Sequence, residues 1–129
     1  MKNQSISRIS EQIAASLTAI ASSPRIAILL AIGHGEACVC HLETALGWRQ
    51  AYISQHLMSL RKAGVLQDRR EGRYIFYRLK DGSLLDLIID FARLSGLTDE
   101  SNSVLINTQV DPSCACPQCS STPIPSAIP

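Results

Sequence analysis

A chain of 129 residues, 46% of them apolar, has room for one domain with a real but small core. No apolar run reaches the roughly 18 residues needed to span a bilayer, and no signal-peptide apolar region follows Met1-Lys2-Asn3-Gln4-Ser5, so the expectation is a cytoplasmic protein with no membrane partner. Net charge is only +1, yet residues 49–80 carry eight basic residues against Asp68 and Glu71, a local excess of six. Such clustering is the electrostatic footprint of a polyanion-binding element, with a merely solvated face as the bland alternative.

In chain order, Ile6, Ile9, Ile13, Leu17 and Ile20 recur at steps of three and four and predict a first helix with a narrow apolar stripe. Ser22-Ser23-Pro24 reads as the start of a second helix, the serine capping and the proline sitting where its missing N–H costs nothing. That helix, Arg25 to Ile32, is apolar nearly all round and predicts the buried centre; Gly33-His34-Gly35 ends it, with His34 a plain loop histidine. A third helix is expected to start near Ala37–Cys40 and to reach Leu46, with Gly47 as the turn that follows.

The fourth helix places Ile53, Leu57, Leu60 and Gly64 on one side. Its other side offers Arg49, Gln50, Tyr52, Ser54 and Gln55, side-chain types that bond base edges and phosphates. Packing against a neighbouring helix is the alternative for Tyr52, and His56 reads as structural. From Val65 the period changes to two: Ile75, Tyr77 and Leu79 alternate with Tyr74, Phe76 and Arg78, which indicates a strand. Glu71-Gly72 reads as a hairpin turn with Arg69, Arg70 and Arg73 at the tip, suited to phosphates or a minor groove. Helix, tight turn, helix and basic hairpin make a winged helix-turn-helix, whose second helix enters the major groove. The fold class is therefore mainly α with a two-stranded β wing.

After Asp81-Gly82, Ser83 and Asp86 have the spacing of a capping box for a last helix ending at Gly96. That helix has more apolar surface than one core contact needs, so a homodimer through the first and last helices is expected, matching a two-fold operator. Residues 1–97 then form the DNA-binding and dimerisation domain. Residues 98–129 lose periodicity and gain prolines, and read as a flexible tail.

Five cysteines in a reducing compartment argue against a disulfide framework and for metal ligation or redox chemistry. Cys38 and Cys40 lie in the first helix of the helix-turn-helix; Cys114, Cys116 and Cys119 lie in the tail. Residues two apart on a regular helix point away from each other, so a shared ion requires that helix start to be irregular or to unwind. A helix N-terminus favours the thiolate form that binds metal. Two thiolates are an incomplete site: As(III) and Sb(III) favour three, Zn(II) and Cd(II) four ligands. The leading expectation is that Cys38 and Cys40 bind one ion with at least one tail cysteine, from the same or the partner subunit. The alternatives are that both are ordinary small core residues, that the tail holds a metal alone, or that helix and tail thiols form a redox or persulfide switch. A nucleophilic cysteine beside His41 is conceivable, but no Gly-rich phosphate loop, oxyanion device or second acid/base pair accompanies it, so an enzyme is not expected.

Residues 23–79 resemble the ArsR/SmtB family of metal-responsive repressors. The resemblance rests on Ser23-Pro24-Arg25, Glu36-Ala37-Cys38-Val39-Cys40-His41-Leu42, Ala45-Leu46-Gly47, Ser54-Gln55-His56-Leu57, Leu60-Arg61-Lys62-Ala63-Gly64-Val65-Leu66 and Arg69-Arg70-Glu71-Gly72-Arg73-Tyr74. It implies a dimeric repressor that leaves its operator when metal binds, and the Cys-Val-Cys stretch looks like the family's arsenic- and cadmium-type sites. Three departures stand out. The third cysteine of some arsenic repressors is Glu43 here, the first helix has no cysteine, and residues 81–95 contain Asp86 and Asp90 but no histidine for a zinc-type site. The inducer expected from the all-thiol inventory and the resemblance is As(III) or Sb(III), with Cd(II), Pb(II) and Zn(II) open.

Overall fold

The computed structural model describes residues 2–97. In chain order it has α1 (Lys2–Ile20), α2 (Ser23–Ile32), β1 (Ala37–Cys38), α3 (Val39–Leu46), α4 (Gln50–Lys62), β2 (Leu66–Glu71), β3 (Tyr74–Leu79) and α5 (Ser83–Leu94). The tail cysteines Cys114, Cys116 and Cys119 lie outside the described residues, as does the whole of the 98–129 segment expected to form a flexible tail.

Helices α2, α3 and α4 close around Ile28, Leu29, Ile32, Leu42, Ile53, Leu57 and Leu60, all buried. Leu66 and Leu79 of the hairpin and Leu85 and Ile89 of α5 complete this core. Each such side chain contributes about 1.5–3 kcal/mol on burial, so the helix-turn-helix is the stable centre to which the other elements attach.

Local chemistry sets the boundaries. Ser22 caps α2 by accepting the Arg25 N–H at 3.3 Å, one residue earlier than the serine-before-proline pattern suggests, and Pro24 sits in the first turn. Gly47 ends α3 in the left-handed region at φ 70°, ψ 25°, where its N–H donates to the Glu43 carbonyl. The expected Ser83–Asp86 capping box does not form. Asp81 instead accepts from the Ser83 N–H at 3.0 Å and the Ser83 hydroxyl at 2.6 Å, because α5 begins at Ser83 and the preceding turn carries the carboxylate.

The sheet has three strands in the order β1-β3-β2, both pairings antiparallel. The alternation after Val65 predicts the hairpin alone, and the third helix predicted from near Ala37–Cys40 would take in both thiols. Ala37 and Cys38 pair instead with Tyr77 and Phe76 of β3, and α3 starts at Val39. Two residues carry no readable period, so only the register with β3 reveals the strand. The hairpin loop is Gly72-Arg73, with Glu71 still paired to Tyr74; Gly72 takes the positive φ, 62°, of a two-residue loop that follows the strand twist.

Two apolar faces remain uncovered among the described residues. On α1, Ile6, Ile9, Ile13 and Leu17 are exposed, Ile6 at 65%. On α5, Leu85 and Ile89 face the core while Leu87, Phe91 and Leu94 face outward, Leu94 at 86%. Among the described residues no single helix is long and apolar enough to cross a membrane.

Candidate functional site: a reading helix, a basic wing and a thiol pair

Helix α4 buries Ile53, Leu57 and Leu60 and turns the opposite side outward. Arg49, Gln50, Tyr52 and Gln55 are exposed there, whereas Ser54 is half-buried. Arg49 occupies the N-cap position without capping the helix through its side chain. Tyr52 is exposed but not isolated: its ring meets Trp48 edge-on at 5.4 Å and His56 edge-on at 4.8 Å. This ladder from the turn residue Trp48 to His56 holds Tyr52 against its own helix. His56 is half-buried, and its buried Nδ1 has no hydrogen-bond partner among the described residues. Desolvation, then the charge of Arg25, holds its pKa below the ordinary histidine value. His34 lies in the turn after α2, with Nε2 3.4 Å from the Asp86 carboxylate.

In the wing, Arg70 and Arg73 are exposed, and the Arg73 guanidinium lies 5.4 Å over the Tyr74 ring. Arg69 differs. Its Nε lies 2.8 and 3.0 Å from the two Glu36 carboxylate oxygens, and its Nη2 donates to Glu36 at 2.9 Å. Its Nη1 donates to Glu71 at 3.1 Å, and its guanidinium covers the Phe76 ring at 4.5 Å. The two carboxylates hold this guanidinium firmly protonated, Glu36 contributing most.

Cys38 is the N-cap residue of α3, with extended backbone (φ −85°, ψ 168°), and Cys40 is the second residue of the helix. The pair therefore straddles a strand–helix junction rather than sitting on a regular helix. Cys38 is 3% exposed and Cys40 is half-buried. Both pack in a small separate cluster with Phe76 and Tyr74 of β3. Among the described residues no group of three His, Cys, Asp or Glu side chains is arranged to hold a metal ion. The two thiols thus fit a soft ion in donor type but supply only part of a three- or four-ligand set.

Glu36 and Phe76 were not singled out from the sequence. Position offered a hint for Glu36, two residues before Cys38. For Phe76 the signal is register, which a two-residue strand hides.

A helix-turn-helix followed by a basic β-hairpin, joined by the short strand β1, defines a winged-helix fold of the DNA-binding type. The model of the bacterial regulatory protein arsR family matches residues 22–68. An arsenic resistance transcriptional regulator of Pseudomonas putida is 53% identical over 51 residues, 40% of each chain. An HTH-type transcriptional repressor SmtB of Mycobacterium tuberculosis is 40% identical over 80 residues, 62% of this chain and 59% of that one. The match thus spans about half the length of these relatives. In structure, the reduced HlyU of Vibrio cholerae superposes with a TM-score of 0.64 at 31% identity, covering 70% of this chain and 96% of that one. The chain belongs to the ArsR/SmtB family of winged-helix regulators. The named relatives are transcriptional regulators and repressors rather than enzymes.

Proposed function

We propose that this protein is a metal-responsive transcriptional repressor that binds operator DNA as a homodimer in the cytoplasm and is released when As(III) or Sb(III) binds cysteine thiolates. The observation that carries this reading is that Cys38 and Cys40 lie at the start of the first helix of the helix-turn-helix and pack against the wing. Capture of an ion there disturbs both DNA-contacting elements at their shared root. Arg49, Gln50 and Gln55 supply base and phosphate contacts from α4, with Tyr52 and Ser54 lending the ring and hydroxyl at its flank. Arg70 and Arg73, exposed in the wing, position it on phosphates. The exposed stripes of α1 and α5 support a dimer, since apolar faces of this extent are covered in a soluble protein.

Three thiolates suit As(III) or Sb(III), and the described residues supply two. The third is assigned to Cys114, Cys116 or Cys119, from the same or the partner subunit. Arsenic resistance in the name of the P. putida relative favours these metalloids over Cd(II), Pb(II) or Zn(II). A ligand releases a repressor only through different affinities for its two states, so an ion that rearranges the β1–α3 junction is the required kind of ligand.

The test is DNA binding by the reduced protein, titrated with arsenite and separately with Cd(II), for wild type and for variants with Cys38 and Cys40, or Cys114, Cys116 and Cys119, changed to Ser. Release of wild type by arsenite, lost in both variants, supports the shared site. A response to Cd(II) alone overturns the choice of metalloid. Release by an oxidant such as diamide, with no response to either ion, replaces the metal reading with a thiol redox switch.

A further inference from the structure

Three strands bring Cys38, Phe76 and Arg69 into one cross-strand row: Cys38 pairs with Phe76, and Phe76 with Arg69. Directly opposed residues share a face of the sheet, and successive residues alternate faces. Arg69 therefore lies on the face of Phe76 and the thiol cluster, which its 4.5 Å approach to the Phe76 ring bears out, while Arg70 belongs to the opposite face. The row closes at its other end. Glu36 directly precedes β1 and takes Arg69 in a forked pair at 2.8–3.0 Å, its side chain largely withdrawn from solvent.

We infer that Arg69 is a positioning residue, a clamp that with Glu36 couples the thiol strand to the wing, rather than a contact to DNA. Its charge is already matched by Glu36 and Glu71, so little is left for a phosphate. The forked geometry is specific to a guanidinium and a carboxylate, and it fixes direction as well as distance. A partly exposed pair of this kind adds little stability, so its consequence is geometric. When Cys38 turns toward a bound ion, β1 and Glu36 move with it, and the clamp carries that movement to Arg70 and Arg73. This inference rests on the thiol reading proposed above and adds the route by which the wing responds.

The test uses the reduced full-length chain and a duplex that wild type selects from a random library. Arsenite binding to the protein alone is measured by thiol titration. The coupling factor is the ratio of duplex Kd with and without saturating arsenite. Glu36→Gln and Arg69→Lys should each bind arsenite within about twofold of wild type yet lose about tenfold or more of the coupling factor. The double variant should lose no more than either single one, because both remove the same interaction. Glu36→Asp, which keeps the charge and shortens the reach, should fall with them and serves if Glu36→Gln does not fold. A merely structural role would move thermal stability without moving the coupling factor. Unchanged coupling in Glu36→Gln and Arg69→Lys, with arsenite still bound, overturns the clamp alone. If Arg69→Lys retains full coupling and Arg69→Gln lowers the salt dependence of binding by about one phosphate contact, Arg69 touches DNA and the clamp is wrong. A wild type that binds no arsenite overturns the thiol reading and the clamp together.

Discussion

Cys38 faces Phe76 across the β1–β3 pairing, and the two form a small buried cluster apart from the main core, with Cys40 and Tyr74 at its edge. A thiol within a packed apolar cluster cannot move without the ring opposite it, since interiors are close-packed and yield in steps. Phe76 is fully buried, so truncating it leaves a cavity beneath the wing. Phe76→Ala should cost about 3–5 kcal/mol in urea unfolding and should speed the reaction of Cys38 with a thiol reagent. An unchanged thiol rate would show that the ring does not guard the sulfur.

Gly47 joins the two helices of the helix-turn-helix at φ 70°, with open space where a Cβ would sit. The penalty for a side chain there is purely backbone. Gly47→Ala should lower stability by about 1–2 kcal/mol, and Gly47→Asn by less, because asparagine tolerates the left-handed region. Thermal or urea unfolding of the two variants checks the order; equal losses would point to a packing cause instead.

Phe91 and Leu94 stand outward on α5, as does the α1 stripe. If these faces meet a second copy, Phe91→Glu places a charge in an apolar contact. The dimer Kd should then rise by about 100-fold or more, while the circular dichroism of the fold persists. Sedimentation velocity across a dilution series reads this directly. A wild type that sediments as a monomer at micromolar concentration would sink the dimer.

Arg70 and Arg73 are exposed in the wing, and Gln55 is exposed on α4. Arg73→Ala should weaken DNA binding about equally for all sequences and reduce the slope of log K against log salt by about 1. Gln55→Ala should leave the slope alone and relax sequence preference, costing about 1–3 kcal/mol on the preferred duplex. Fluorescence anisotropy at several salt concentrations separates the two; swapped behaviour would reverse the assignment of helix and wing.

Burial and Arg25 depress the pKa of His56 below the unfolded value, so the unfolded chain binds a proton more readily than the folded one. Stability from this group is full above about pH 6.5 and declines as pH falls through the window below it, down to the depressed folded value. The melting temperature of wild type should therefore drop between pH 7.5 and 5.5, and His56→Gln should flatten that part of the profile. Parallel profiles for the two proteins would remove His56 as the source.

Much of this was legible in the chain itself. Ile53, Leu57 and Leu60 at helical spacing, Gly47 before them and the alternation from Tyr74 to Leu79 give the helix-turn-helix and its hairpin, because the period of the apolar residues is a local property. The outward face of α5 was legible too, as apolar surface beyond what one core uses, whereas the narrow stripe of α1 fitted its own core or a partner equally. The exposed positions of Arg49, Gln50, Tyr52 and Gln55 follow from the same helical period that buries Ile53 and Leu57. Tertiary structure alone decided the rest. Ala37 and Cys38 become a strand only because β3 lies beside them, and hydrogen bonds between distant segments leave no period in two residues. That pairing takes Cys38 out of the helix, sets it opposite Phe76 and brings Glu36 to Arg69 across 33 positions of chain. Three arginines that look alike in sequence thereby divide. Arg70 and Arg73 stay open to solvent, while Arg69 is held by two carboxylates, because side-chain direction and register, which composition does not encode, choose its partners.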